Sequence, residues 1–537
     1  MLISCTFDGT GLIDDSGCHA WAEIGIRAEG YSNFNPTWLS EGAGIWIATD
    51  YDWTNNTFDP DPSGNPTLDL DDKIILQKGG GWGEGSYNLP STPSEPGTNY
   101  GIWFDRDGVD PTQATNWGSI DGCTYNTNGR YKIHLYIHAT SSSAGQAYLK
   151  INNVSQGFYV GGWKNAQPEI YPAGMTFTGN MTQMQVFYGL SGYGAIHTIK
   201  FENIQVILSD EVWVDDDWAG SIPGQEVAPG KIFGFNAFAK IQDGINAVAV
   251  GGTVHVAAGT YTENIKIIKS LNLIGSGRDN TVIRNAQTGT QVYTLNIDGN
   301  EGPLTGDVYI EGFTFKDNFG PTDWRPIIAS DHIPSGITLR FRNNKIDNGY
   351  LYGWYDYHSH GNFDFNNNII SNVEYGMMLE GWDNGTINII ENEFYCKAGY
   401  FGYPAAMFMF TYDNVNCNNL YNIKGNLINL SNPGYGIVFY GGYPGHSPAF
   451  YSNIIIEQNI IDSSGLYGIY FRNLAPTGQE VNGGIKGALI KNNFITRWDK
   501  GIYILGQNSN IDISYNYIYG NDIGIENTGS DIINAEN

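Results

Sequence analysis

Positive charge is scarce in this chain. Its 537 residues carry 27 Lys+Arg against 55 Asp+Glu, a net charge of −28, and only 15% of residues are charged. Without a basic surface nothing displaces counterions from a phosphate backbone, which excludes nucleic acid as a partner. Long apolar runs are missing as well, none approaching the roughly 20 residues that cross a bilayer, so no membrane span is expected. The opening Met1-Leu2-Ile3-Ser4-Cys5-Thr6-Phe7-Asp8 has neither a basic n-region nor a long apolar stretch, and no secretion signal is legible. Cysteine is sparse at five. Disulfides Cys5–Cys18 and Cys396–Cys417 with Cys123 free, or five buried thiols, fit the spacing equally. No pair has the CxxC spacing of a zinc site.

What is abundant is Gly (70), Tyr (35) and Trp (14), with many Asn and Thr. That is the composition of a secreted, glycan-contacting protein and points to an extracellular or cell-surface location in a processed or truncated chain. Sequons at Asn55, Asn153, Asn180, Asn384 and Asn429 are compatible with it.

Residues 1–208 read as short strands between Gly/Pro/Asn turns, among them Ala43-Gly44-Ile45-Trp46-Ile47-Ala48 and Tyr131-Lys132-Ile133-His134-Leu135-Tyr136-Ile137. No helix-period window competes, which is the pattern of an antiparallel β-sandwich. An acidic, turn-rich stretch over 209–231 reads as a linker. The one convincing helix runs from an Asn236 N-cap to Val250, with Phe238, Ile241, Ile245 and Val248 on one face and Gly251-Gly252 as its stop.

The remainder, 232–537, repeats. Asn-x-(Ile/Phe) recurs at Asn344, Asn368, Asn392, Asn426, Asn459, Asn493 and Asn516, with spacings of 24, 24, 34, 33, 34 and 23. A Gly-apolar pair follows in most copies: Gly376-Met377, Gly436-Ile437, Gly468-Ile469, Gly501-Ile502 and Gly524-Ile525. A fixed period with strand content predicts a solenoid whose coils bury their apolar sides against one another. An Asn at the same corner of every coil can donate to one neighbour and accept from the other, forming a ladder. The helix sits where a cap over the first coil's unpaired edge belongs. The expected fold class is therefore all-β: an N-terminal antiparallel sandwich, then a capped parallel β-helix.

The run Ile241-Gln242-Asp243-Gly244-Ile245-Asn246-Ala247-Val248, then Gly251 to Tyr261 and Leu271-Asn272-Leu273-Ile274-Gly275, resembles the opening of right-handed parallel β-helix proteins of the pectin-lyase-like superfamily. It is most similar to the NosD-like, cell-surface branch. The first 208 residues resemble concanavalin/LamG-like sandwiches through Asn99 to Gly108 and Pro172 to Gly179. The resemblance implies a fold, an extracellular setting and contact with polysaccharide. It does not imply an enzyme. The last residues look like the start of a further coil.

Strand alternation sends the residues two and four after the Gly outward. The outward set is Met378 and Glu380, Phe408 and Phe410, Val438 and Tyr440, Tyr470 and Arg472, Tyr503 and Leu505. Aromatics on a flat face stack on sugar rings, so Tyr355, Tyr357, Trp382, Phe408, Phe410, Tyr440, Tyr470 and Tyr503 are the expected carbohydrate contacts. Two other readings of the stripe stand beside this one: a second core under the insertions, or a protein interface.

The same face gathers Glu380, Asp383, Arg472 and His358, a candidate catalytic set. A lyase would pair Arg472 with Tyr357 or His358 and a metal on Asp356, Glu380 and Asp383; a hydrolase would pair Glu380 with Asp383 or Asp356. In the sandwich, Asp105, Asp107 and Asp110 alternate around Gly108 with the spacing of an oxygen-ligated Ca²⁺ loop, or of an ordinary Asp/Gly turn. The reading that follows is an extracellular structural or adhesion protein with a glycan-binding β-helix face, non-enzymatic, whose partners are a polysaccharide or cell-surface glycan and further copies in a homo-polymer or surface layer. The alternative is a polysaccharide lyase or glycoside hydrolase.

Overall fold

The structure is a computed structural model. It describes residues 2–11, 19–27, 42–48, 73–78, 101–105, 130–139, 144–151, 154–155, 175–178 and 185–193. From 198 it describes all but 222–224, 287–292, 303, 318–324, 381–384, 398–401, 403, 411–415, 418, 431–432, 441–449, 473–483, 507, 529–531 and 537. The chain divides into two compact units, one of residues 1–212 and 218–238, the other of 213–217 and 239–537.

The first unit holds two antiparallel sheets, the elements of the expected sandwich. One runs Thr198–Ile207, Leu2–Gly11, Arg130–Ala139, Ala144–Ile151, and the other Gln185–Tyr193, His19–Arg27, Gly42–Ala48, Lys73–Lys78, Gly101–Asp105. Alternation does what the sequence suggests: Ile133, Leu135 and Ile137 are buried while Lys132 between strands' apolar positions is exposed. Cys5 is buried here as a thiol, and burial pushes it up to about 12.

The second unit is a parallel β-helix. Each coil contributes one strand to each of three sheets, whose coil strands run from Val248–Val256, Gly259–Thr262 and Ile265–Ile267 to Ile532–Glu536, Tyr517–Tyr519 and Ile523–Thr528; Ser209–Val214 pairs along the outer edge of Val248–Val256. Alternate residues fill the coil: in Thr386–Ile390, Ile387 and Ile389 are fully buried between half-buried neighbours. Successive coils stack like on like, with Phe341 and Phe365 at 5.4 Å and 5°.

The expected Asn ladder is present from Asn344 to Asn516. Oδ1 of Asn459 accepts the backbone N–H and the Nδ2 of Asn426, each at 2.9 Å, and its own Nδ2 donates to Ile423 O and to Asn493 Oδ1. The same pattern runs from Asn344 to Asn516. The residue before each ladder Asn turns through the left-handed region, as at Asn367 (φ 54), Asn492 (φ 56) and Gly425 (φ 67), which Asn and Gly adopt most readily.

Two expectations change. The helix is only Ile241–Ala247, because Val248 onward is already the strand Val248–Val256. Its first N–H groups are capped by the Glu263 carboxylate, at 2.8 Å to Ile241 N and 3.1 Å to Gln242 N. Asn236 instead closes a turn, accepting from Ile232 N and donating to Gly230 O. The stretch over 209–231 carries structure: the strand Ser209–Val214, a 3-10 turn at Asp216–Trp218, and the hairpin Glu226–Ala228 with Lys231–Ile232. Of the two readings of the cysteines, the free thiols of Cys5 and Cys396 fit the unbridged one, and burial pushes Cys396 up to about 12.

The helix does guard an edge. Gln242 accepts from Lys266 N (2.7 Å) and donates to Lys266 O (3.1 Å), so a side-chain amide takes the place of a neighbouring strand along Ile265–Ile267. No helix among the described residues is long and apolar enough to cross a membrane.

Candidate functional site

The third sheet carries the residues of interest. Its register places Asp298, Asp331, Tyr357, Glu380 and Phe410 in one outward column. Tyr355, Met378, Phe408, Val438, Tyr470 and Tyr503 form the column beside it. The early rungs of this face are polar and the later ones aromatic.

The aromatic half is covered. Phe410, Tyr440, Tyr470 and Tyr503 are 2%, 5%, 7% and 9% exposed, and Phe408 is half-buried. Val438, Tyr470 and Tyr503 form a buried cluster against which Phe408, Tyr435, Tyr467 and Leu505 pack. Column neighbours sit one rung apart, so their rings stack on each other, Tyr470 on Tyr503 at 5.2 Å and 3°. Lys500 and Arg472 occupy further ring faces, at 3.8 Å from Tyr503 and 4.8 Å from Tyr440. Among the described residues these rings pack on one another, which is the second-core reading of this part of the stripe.

Arg472 shares the outward direction of Glu380 but lies three coils further along the sheet, about 14 Å at the usual rung spacing. Asp356 pairs with Leu379, not Glu380, and points into the coil, where it is fully buried, so it cannot share a metal or a substrate with Glu380. Asp383 and Trp382 lie outside the described residues. So do Asp107 and Asp110 of the calcium loop and the side chain of Asp105. Among the described residues, one acidic group is close enough to share a cation: Asp215, Asp216 and Asp217, with an oxygen of each within 4.8 Å of the others.

Four expected residues do meet. Tyr355 Oη donates to Glu380 Oε2 at 2.8 Å, and His358 Nε2 lies 3.4 Å from Glu380 Oε1. The Glu380 side chain is 5% exposed and that of His358 42%. Tyr357 stacks beside Tyr355 at 4.2 Å, and burial, reinforced by the Tyr293 hydroxyl, holds its phenol well above the ordinary range.

The next coil adds residues the sequence reading missed. His332 Nδ1 hydrogen-bonds Asp331 Oδ1, and Asn300 Nδ2 lies 2.9 Å from the same nitrogen. His332 and His358 both sit at left-handed corners (φ 50 and 56), held in register by His332 N donating to Tyr357 O and His358 N to Glu380 O. Their rings lie 5.6 Å apart. The missed signal was legible: Asp331-His332 and Tyr357-His358 each end a strand one coil apart. Further up, Lys266 pairs with Asp298 (3.2 Å) and Glu301 (2.5 Å).

The result is two carboxylate–imidazole pairs on adjacent corners. The backbones of Asp331 and Glu380 are two rungs apart, about 9.5 Å at the usual spacing. Among the described residues, four carboxylates, Asp298, Glu301, Asp331 and Glu380, surround the patch, with Lys266 paired to two of them. That charge repels a bare uronate and suits hydroxyl groups, which carboxylates and imidazoles can hydrogen-bond.

No family model matches the chain, and no curated protein matches it. Among solved structures it is similar to the catalytic domain of a GH87 α-1,3-glucanase in complex with nigerose, at 13% identity over 99% of this chain and 88% of that one, TM-score 0.33. It is also similar to pectin methylesterase PemA from Erwinia chrysanthemi, at 14% identity over 54% and 80%, TM-score 0.28. A third is the A-module of the mannuronan C-5 epimerase AlgE4 from Azotobacter vinelandii, at 16% identity over 60% and 99%, TM-score 0.26.

Proposed function

We propose that the chain binds an extracellular, uncharged polysaccharide across the early coils of the β-helix and hydrolyses it between Asp331 and Glu380. The observation that carries this is the pair of carboxylates on one outward column, each in contact with an imidazole. With Tyr357 on the rung between their backbones, the two acids stand far enough apart to admit a water beside the sugar, which favours inverting hydrolysis. Asp331, a third exposed, is the open member and activates the water; Glu380, nearly sealed beneath Tyr355, protonates the leaving oxygen. The acidic surround disfavours the lyase alternative, which requires a cation to neutralise a uronate.

The test is incubation of the full chain with a panel of neutral and uronate polysaccharides, following reducing ends and unsaturated-uronate absorbance. Release of reducing ends from a neutral glycan is expected, falling by about 100-fold or more in Glu380→Gln and Asp331→Asn. The near-complete burial of Glu380 favours a second reading, a surface adhesin that holds the glycan without cleaving it. Binding with no release by the unaltered chain selects that reading. Absence of binding to every glycan overturns both, and unsaturated products overturn the hydrolase.

A further inference from the structure

We infer that Asp356 is a positioning residue, which from inside the coil ties together the two corners that present His332 and His358. Its link to the reaction rests on the proposed function; its effect on the imidazoles does not.

The network is complete. Ser330 Oγ donates to Asp356 Oδ1 at 2.5 Å, Ser359 Oγ donates to the same oxygen at 2.6 Å, and Ser359 N reaches Oδ2 at 3.3 Å. Each hydroxyl has one proton and gives it to the carboxylate, so its lone pairs face incoming N–H groups. Trp354 Nε1 fills that role at Ser330 (3.0 Å) and Ile333 N at Ser359 (3.1 Å). Ser330 and Ile333 bracket Asp331-His332. Asp356 and Ser359 bracket Tyr357-His358. Both outward pairs are therefore clamped from below, at both ends, through a single carboxylate.

A merely tolerated core residue would not look like this. The same inward column continues past Asp356 as Leu379, Met409, Phe439, Phe471 and Ile504, apolar until Asn527 on the last coil. Between Ile297 and Ile504 the polar members are Ser330 and Asp356, directly beneath the imidazole pair. Sealing a carboxylate in is costly, and burial pushes it up to about 7 against the pull of the serine hydrogen bonds. That cost is met here by hydrogen bonds that reach both corners, from Ser330 on one coil and Ser359 on the next.

The experiment uses the full chain with its histidine rings labelled for NMR, the His332 and His358 signals being assigned through His332→Gln and His358→Gln. Ser359→Ala, a mild change, and Asp356→Ala are expected to shift or broaden both signals while the other histidines stay put. Asp356→Asn, which keeps Oδ1 as acceptor, is expected to restore them in part. Should Asp356→Ala fail to fold, Ser359→Ala still decides. Unmoved His332 and His358 signals in a Ser359→Ala protein that only melts earlier would overturn the inference, leaving core support alone. Moved signals in a protein whose unaltered form cleaves no glycan uphold the positioning role and remove the hydrolase.

Discussion

Sealing Asp356 inside a coil gives stability an unusual dependence on pH. Its folded pKa, raised to about 7 by burial, exceeds the roughly 3.9 of an unfolded Asp, so the folded chain holds this proton more tightly. The contribution is fully present below about pH 4 and is lost as pH rises to about 7, a difference of a few kcal/mol. Asp356→Asn removes the titration, and its stability, followed by urea denaturation across that window, should change less with pH than that of the unaltered chain. An equal slope would mean that the carboxyl stays ionised throughout. Parity explains how this residue was legible and yet misread. Two and four after Gly353 come Tyr355 and Tyr357, which face out as the alternation predicts, and the same alternation sends Asp356 inward. Grouping it with Glu380 because both are acidic ignored the pleat. Arg472 obeyed the pleat, but its place in the stack depends on how many coils intervene, and no single strand records that.

The ladder Asn is the element that sequence displayed best, because stacking demands one residue type at one corner in every coil. Replacing Asn459 with Ala would leave the buried Asn426 N–H and Ile423 C=O unpaired. At about 1–3 kcal/mol for each orphaned group, a loss of roughly 2–5 kcal/mol is expected in chemical denaturation. Ile460→Thr, next in sequence but 48% exposed, should cost under about 0.5 kcal/mol. Similar losses in both would show that the ladder adds little to ordinary packing. The helix was harder to delimit. Its apolar spacing continues through Val248, yet once the coil offers a strand partner that β-branched residue is extended, and the cap comes from Glu263, 22 residues from Ile241. The outward aromatics show a comparable limit. Their direction follows from alternation, whereas their burial follows from rings of different coils closing on each other.

At the scale of the whole molecule, positive charge remains the scarce quantity, and the structure shows what that scarcity does. Of the few cations on the β-helix, several are tied down: Lys424 and Lys491 flank Glu457, Arg497 pairs with Asp462, and Lys500 covers Tyr503 while reaching Glu526. A net charge of −28 with its lysines and arginines so engaged acts on an approaching polymer mainly through repulsion. An uncharged glycan bound as proposed would feel none of it, since hydrogen bonds to hydroxyls involve no long-range field. Its affinity should therefore change by less than about 2-fold between roughly 0.05 and 0.5 M NaCl, a range over which the screening length falls from more than 10 Å to a few. An anionic polysaccharide should bind more weakly throughout and gain as salt screens the repulsion. Isothermal titration at the two ends of that range separates the cases. Binding of an anionic polymer that weakens as salt rises would require a local basic site strong enough to outweigh the whole acidic surface, and would contradict an uncharged substrate for the Asp331–Glu380 face.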